Sequence, residues 1–343
     1  MDLVLSIALA LAGFYMAWNI GANDLANAMG TSVGSKALTI KQVIIIASFF
    51  ELTGALLFGG GVTGTIAKGI VPLDPIMAVN PDIVAVGMLG AILAAGFWIT
   101  LATLYNLPVS TTHSIVGSVL GFGIVCAILG IITFSEIHWS VMLGIVGSWL
   151  LSPLLGGIVA YLIFYVVRKK FLQNSDKVAG IEKKFILFQV ITACFVAFSH
   201  GSNDVANAIG PLYAVYEMYG PYSFNLMNAL LLLGGLGIVI GLATWGYKVI
   251  DTVGNKITEL TPTRGFSAQF ATAAVVLGHS VIGLPISTTH VLVGAVIGVG
   301  LAGGLSGINL KVLKNIVSSW IVTVPVSAIT SGILFYVLSF IFL

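Results

Sequence analysis

Gly21-Ala-Asn-Asp-Leu-Ala-Asn-Ala-Met-Gly30 and, 180 positions later, Gly201-Ser-Asn-Asp-Val-Ala-Asn-Ala-Ile-Gly210 each set a carboxylate inside an apolar segment. An ionisable side chain in a membrane span is costly, and by default it marks an ion or substrate pathway. The same costly group written twice points to two copies of one unit sharing a site. That is the pattern of a transporter.

Composition agrees. Hydrophobic residues make up 58% of the 343 and charged residues 8%, against about 25% charged in a soluble domain. Such a chain needs lipid as its solvent, so an all-α membrane protein is expected. A net charge of +2 is too small to suggest nucleic acid. Cys126 and Cys194 sit in apolar runs without metal-ligand spacing and read as inert thiols. Met1-Asp2-Leu3 lacks a basic leader, so Leu3 onward reads as a retained span. No nucleotide-binding P-loop is visible, so ATP-driven transport by this chain alone is not expected, and the chain reads as a transporter without a cofactor, not as an enzyme.

Hydropathy predicts about ten membrane helices of roughly 20 residues each. They fall near 3–34, 40–61, 83–105, 112–134 and 139–167, then near 185–210, 225–247, 266–283, 288–306 and 315–342. The first and sixth carry the decapeptides and are expected to bend or unwind there. Residues 168–184 form the one soluble stretch, a linker with six of the fourteen basic residues: Arg168, Lys169, Lys170, Lys177, Lys183 and Lys184. The positive-inside rule assigns it to the cytoplasm. Counting outward puts Lys36, Lys41, Lys248, Lys256, Arg264, Lys311 and Lys314 inside too, leaving only Lys68 outside. Both termini are then expected outside the cell membrane. Residues 1–167 and 185–343 each hold five crossings, an odd number, so the two repeats are inverted, with half helices at the midplane.

A second pair of motifs extends the repeat. Leu107-Pro-Val-Ser-Thr-Thr-His-Ser-Ile-Val-Gly117 matches Leu284-Pro-Ile-Ser-Thr-Thr-His-Val-Leu-Val-Gly294. Phe50–Gly59 matches Gly237–Gly246 more weakly, and Ser148-Trp149 matches Ser319-Trp320. Proline disfavours helix just before it, and serine is a good N-cap, so each motif predicts a helix start. Unpartnered N–H groups there bind anions. Ser110, Thr111, Thr112, Ser287, Thr288 and Thr289 are therefore the candidate anion-binding hydroxyls. Capping or back-bonding to carbonyls is the plainer role for such residues, and the duplication favours binding.

Asn23, Asp24 and Asn27 lie within i,i+4 spacing and can share one helix surface, as can Asn203, Asp204 and Asn207. Carboxylate and amide oxygens suit a hard cation such as Na⁺. Interhelical hydrogen bonding would explain the asparagines but not the aspartates. Charge is the deciding consideration. Asp24, Glu51 and Asp204 lie inside spans with no lysine or arginine near them in sequence. An arriving anion is repelled unless cations accompany it, so coupling to Na⁺ or H⁺ follows from electrostatics. Glu51 aligns with Ile238 and is a candidate for coupling or gating. Gln269, His113 and His290 join it as weaker candidates. His200 and His279, lacking repeat partners, read as packed polar residues.

In these motifs the chain resembles the inorganic phosphate transporter (PiT) family, over both halves. The resemblance implies a sodium- or proton-coupled phosphate carrier, with sulfate permeases as close kin, and a homodimer. It implies that Asp24 and Asp204 are essential aspartates, that Glu51 is a functional glutamate, and that Ser110–Thr112 and Ser287–Thr289 meet the substrate. Relatives often carry glutamate where this chain has Gln269, which bears on ion stoichiometry. Sulfate transport is one alternative. A more remote one pairs the two aspartates as an intramembrane protease dyad, a chemistry with no use for the doubled helix starts.

Overall fold

The computed structural model describes residues 2–220, 224–247, 249–250, 260–304 and 310–343. Lys248 and Lys256, counted above as cytoplasmic, lie outside the described residues, and so does the side chain of Asn27. The described chain is helical and contains no strand. Helix α1 (Leu3–Ile20) runs through a π-helical turn, Gly21–Leu25, into α2 (Ala26–Gly34). There follow α3 (Ile40–Lys68), the short α4 (Leu73–Val79), α5 (Pro81–Leu104), α6 (Thr111–Ile128) and α7 (Trp139–Phe171). The second half contains α8 (Ser175–Tyr219), α9 (Phe224–Trp245), α10 (Pro262–Val281), α11 (Thr288–Gly303) and α12 (Leu310–Phe342).

Eight helices among the described residues are long and apolar enough to cross a membrane, and Thr288–Gly303 is a shorter apolar one. Leu143, Leu150 and Leu154 of α7 and Ile321, Ile329 and Phe340 of α12 are exposed. Rows of exposed apolar side chains of this kind are what a lipid-facing surface presents.

The two decapeptides differ locally. The first carries the π turn, an insertion common at functional sites. The second stays α-helical throughout, contrary to the expected unwinding. The stretch 168–184 is likewise helical except at 172–174, because α7 and α8 both run into it.

Packing between the halves is reciprocal, as a two-fold axis requires. Helix α1 packs on α9 while α3 packs on α8, and α6 packs on α12 while α7 packs on α11. The same relation holds residue by residue. A Cβ at Gly21 would collide with the carbonyl oxygen of Ile238, and one at Gly201 with that of Glu51. A Cβ at Gly54 would meet the Phe198 carbonyl, and one at Gly241 the Trp18 carbonyl. Each pair maps onto the other through the sequence repeat, so the weak match of Phe50–Gly59 to Gly237–Gly246 is structurally real. Backbone contact this close is the geometry small residues permit between membrane helices.

Helices α5–α6 and α10–α11 form two hairpins whose tips touch. Asn106 (φ 55°) and Gly283 (φ 69°) end their helices in the left-handed conformation. Leu107 N–H then bonds back to Ala102 O, and Leu284 N–H to His279 O, closing both helix ends alike. Leu-Pro-x carries the chain on to Ser110 and Ser287, whose hydroxyls accept from His113 N–H (3.1 Å) and His290 N–H (3.2 Å). Across the tips, Thr112 Oγ1 donates to Ile286 O (2.9 Å) and Thr289 Oγ1 to Val109 O (3.3 Å). The two hairpins therefore meet end to end.

Candidate functional site

Both decapeptides lie against the hairpin tips, and their asparagines hold the loops. Asn23 Nδ2 donates to Thr103 Oγ1 (2.9 Å) and Leu107 O (3.0 Å), and its Oδ1 accepts from Val109 N–H (3.2 Å). Asn203 repeats this with Ser280 Oγ (3.1 Å) and Ile286 N–H (3.4 Å). The amide oxygens expected to face a cation are thus engaged with loop backbone, and in this arrangement they position the tips. Ser110 and Ser287 are similarly engaged as caps.

The remaining hydroxyls turn toward the acids. Asp24 Oδ2 accepts from Thr111 Oγ1 (2.7 Å), and its Oδ1 from Thr288 Oγ1 (3.1 Å) and Thr289 Oγ1. One carboxylate therefore gathers hydroxyls from both hairpins. Asp204 Oδ1 accepts from Asn207 Nδ2 (2.9 Å) and Thr112 Oγ1 (3.4 Å). The Asn207 amide also reaches Thr111 Oγ1 (3.2 Å). Asp24, Asp204, Asn207 and the six Ser-Thr-Thr residues are all buried, none more than 3% exposed.

Glu51 joins the cluster through a residue that the sequence reading set aside. His200 Nδ1 lies 2.8 Å from Glu51 Oε1, and its Nε2 lies 3.6 Å from Asp204 Oδ2. His200 is thus part of the site, correcting its reading as an ordinary packed polar residue. Two sequence signals pointed there: His200 lies four residues before Asp204, and it shares with Glu51 the lack of a polar repeat partner, facing Ile20 where Glu51 faces Ile238. Asp24, His200 and Asp204 each offer a ligand atom within 4.8 Å of the others. Among the described residues, His200 is the one basic side chain paired with these acids. Three carboxyl groups and one imidazole are thus brought together away from any lysine or arginine among the described residues. Among the described residues, Glu51 Oε2, Asp204 Oδ2 and Asn207 Oδ1 have no hydrogen-bond partner, and these three oxygens could serve a cation.

The other candidates sit apart. Gln269 is buried between Ser32 Oγ (2.6 Å) and Thr192 Oγ1 (3.1 Å), joining α10 to α2 and α8. His113 and His290 meet each other, ring centroids 4.3 Å apart, and pack on Trp149 and Trp320. They face away from the acids, toward α7 and α12.

The model of the phosphate transporter family matches residues 20–183 and 173–331, each match containing one of the two decapeptides. The chain is a member of the phosphate transporter family. A "Putative phosphate permease" of Thermococcus kodakarensis is 43% identical over 397 residues, covering 96% of each chain. A protein of the same description from Chlamydia pneumoniae is 40% identical, covering 99% of this chain and 100% of its own. A solved structure described as "The sodium-dependent phosphate transporter" superposes with a TM-score of 0.88 at 40% identity, covering 99% of this chain and 100% of that one. This phosphate-transporter membership excludes the protease reading of the aspartate pair. The likeness to that structure extends over the helices described above.

Proposed function

We propose that this phosphate transporter imports inorganic phosphate by alternating access, driven by Na⁺. The observation that carries the reading is that Asp24 accepts hydrogen bonds from threonines of both hairpin tips. A threonine hydroxyl has one proton to donate. While Thr111, Thr288 and Thr289 serve Asp24, they cannot serve an anion. A cation on Asp24 and Asp204 replaces those hydrogen bonds with its own charge and frees the hydroxyls for phosphate oxygens. The helix starts at Ser110 and Ser287 then favour the anion further. Cation and anion binding are coupled because Asp24 and phosphate compete for the same hydroxyl protons, and a cation on Asp24 releases them.

In this reading Ser110, Thr111, Thr112, Ser287, Thr288 and Thr289 hold phosphate. Asp24, Asp204 and Asn207 hold Na⁺, with Asn23, Asn27 and Asn203 in support. Glu51, Gln269, His113 and His290 set coupling or gating. Residues 1–167 and 185–343 move as inverted repeats about the linker 168–184. The linker lies in the cytoplasm and both termini outside, and two copies form a homodimer. Oxygen-rich ligation and the sodium dependence stated for the structural relative favour Na⁺ over H⁺.

The test is uptake of labelled phosphate into proteoliposomes, first under an imposed Na⁺ gradient and then under a proton gradient. Sodium-driven accumulation that resists excess sulfate is the expected result. Accumulation driven by protons alone would replace Na⁺ with H⁺. Preferential uptake of labelled sulfate would make the chain a sulfate permease of the same family.

A further inference from the structure

We propose that the α7–α8 junction carries a built site for one anionic phospholipid. Only residues 172–174 separate the two helices, so Arg168–Lys170 and Lys177–Lys184 are gathered at one end of the bundle. Beside them lies a groove of about 490 Å³ lined by Phe171, Ile181, Lys184, Phe185, Phe188 and Phe266. Lys184 belongs to both features, at the edge where charge meets ring.

The charges there are not compensated internally. Among the described residues no carboxylate pairs with Lys169, Lys170, Lys177, Lys183 or Lys184, all of them exposed. Glu182, the nearest acid in sequence to Lys183 and Lys184, is engaged by Thr263 N–H (2.9 Å) and Thr263 Oγ1 (2.7 Å). Arg168 and Arg264 are used by the fold: Arg168 donates to Ala302 O (2.7 Å), and Arg264 lies 5.7 Å over the Phe164 ring. The lysines alone remain to bind a ligand.

The groove is equally unfinished. Phe171 and Phe188 remain 47% and 48% exposed at its walls, and Leu187 and Ile191, next to Phe188 and one turn beyond it on α8, are exposed as well. Phe185 closes its floor against Phe266, ring centroids 5.4 Å apart. A free phosphate ion would use the lysines and ignore the rings. A neutral lipid would use the rings and ignore the lysines. A lipid with an anionic headgroup uses both, its phosphate at Lys169, Lys170, Lys183 and Lys184 and an acyl chain along the phenylalanines. Lysine clusters beside a membrane helix attract anionic lipid in this way. The leaflet is the one that faces the side proposed above as cytoplasmic, and the site itself does not depend on that assignment.

Native mass spectrometry of the delipidated full chain, titrated with phosphatidylglycerol and with phosphatidylcholine, tests this. Phosphatidylglycerol is expected to form a single adduct at concentrations at least tenfold lower than phosphatidylcholine. Replacing Lys169, Lys170, Lys183 and Lys184 by Gln should weaken that adduct by about fivefold per lysine, and replacing them by Arg should preserve it. Gel filtration of each variant checks that it is folded. Equal binding of the two lipids would overturn the proposal. So would an unchanged adduct in the Gln variant, or displacement of the lipid by glycerol phosphate at matched concentration.

Discussion

Glu51 and His200 are bonded at 2.8 Å in places where the other half of the molecule carries Ile238 and Ile20, both fully buried. The two-fold relation is thus broken at one contact. A polar pair stands on one side of the axis and an apolar pair on the other. The contact places a histidine four residues before Asp204, where the chain before Asp24 carries Ile20.

Breaking that pair should cost more than replacing it. Glu51→Gln or His200→Gln leaves the partner buried with poor compensation, a loss of about 3–5 kcal/mol. The double variant Glu51→Ile/His200→Ile copies the arrangement at Ile238 and Ile20 and should recover most of that stability while losing Na⁺-driven uptake. Thermal melts of the four proteins decide it. If the double variant melts no higher than the worse single variant, the two contacts are not interchangeable in this way.

Asp24→Asn keeps shape and hydrogen-bonding capacity but removes the charge that gathers three threonine hydroxyls. Sodium-dependent uptake is expected to fall to background, with the elution profile and melting temperature near those of the parent. Asp204→Asn should behave likewise. Uptake at the parental rate in either variant would remove that aspartate from the cation site.

Much of this was legible because the sequence says it twice. The tips at Leu107–Ser110 and Leu284–Ser287 differ only by Val109 against Ile286, so a helix stop and restart could be read at both. The π turn at Gly21–Leu25 was not legible, since Gly201–Leu212 holds the same pattern in plain α-helix. Nor was the role of Asn23, whose partners Leu107 O and Val109 N–H are backbone groups that no side-chain pattern reveals. His200 escaped for a different reason. Its partner is 149 residues away, and comparing the repeats hides contacts that only one of them makes.

The clamps at Asn23 and Asn203 should be separable from the ion chemistry. Each fixes a hairpin loop through its amide, and truncation strands a buried Val109 or Ile286 N–H at a cost of about 1–3 kcal/mol. Asn23→Ala and Asn203→Ala are therefore expected to lower the melting temperature while Na⁺ still raises it. If Na⁺ no longer stabilises the truncated protein, the amide oxygens ligate the ion directly.

Gly201 and Gly60 make a matched pair on the question of helix contact. A Cβ at Gly201 meets the backbone of Glu51, whereas one at Gly60 meets nothing within 4 Å. Gly201→Ala must push α3 and α8 apart at the ion cluster, costing about 1–3 kcal/mol or more. Gly60→Ala should be neutral or slightly stabilising through helix propensity. Melting curves and purified yield compare the two directly. Similar behaviour of the pair would mean that the α3–α8 contact yields easily.

Sharing of threonine protons between Asp24 and phosphate makes a thermodynamic demand that uptake assays alone do not test. If Na⁺ releases Thr111, Thr288 and Thr289 for the anion, then Na⁺ must tighten phosphate binding, and phosphate must tighten Na⁺ binding by the same factor. Ligand binding to the folded protein raises its stability by about 1.4 kcal/mol for each tenfold excess over Kd. Phosphate added in potassium medium should therefore shift the melting temperature little, and added in sodium medium it should shift it by several degrees. In Asp24→Asn the hydroxyls are freed without the ion, so the phosphate shift should lose its dependence on Na⁺. Equal phosphate shifts in the two media for the unmodified protein would separate cation from anion and end the proton-sharing account.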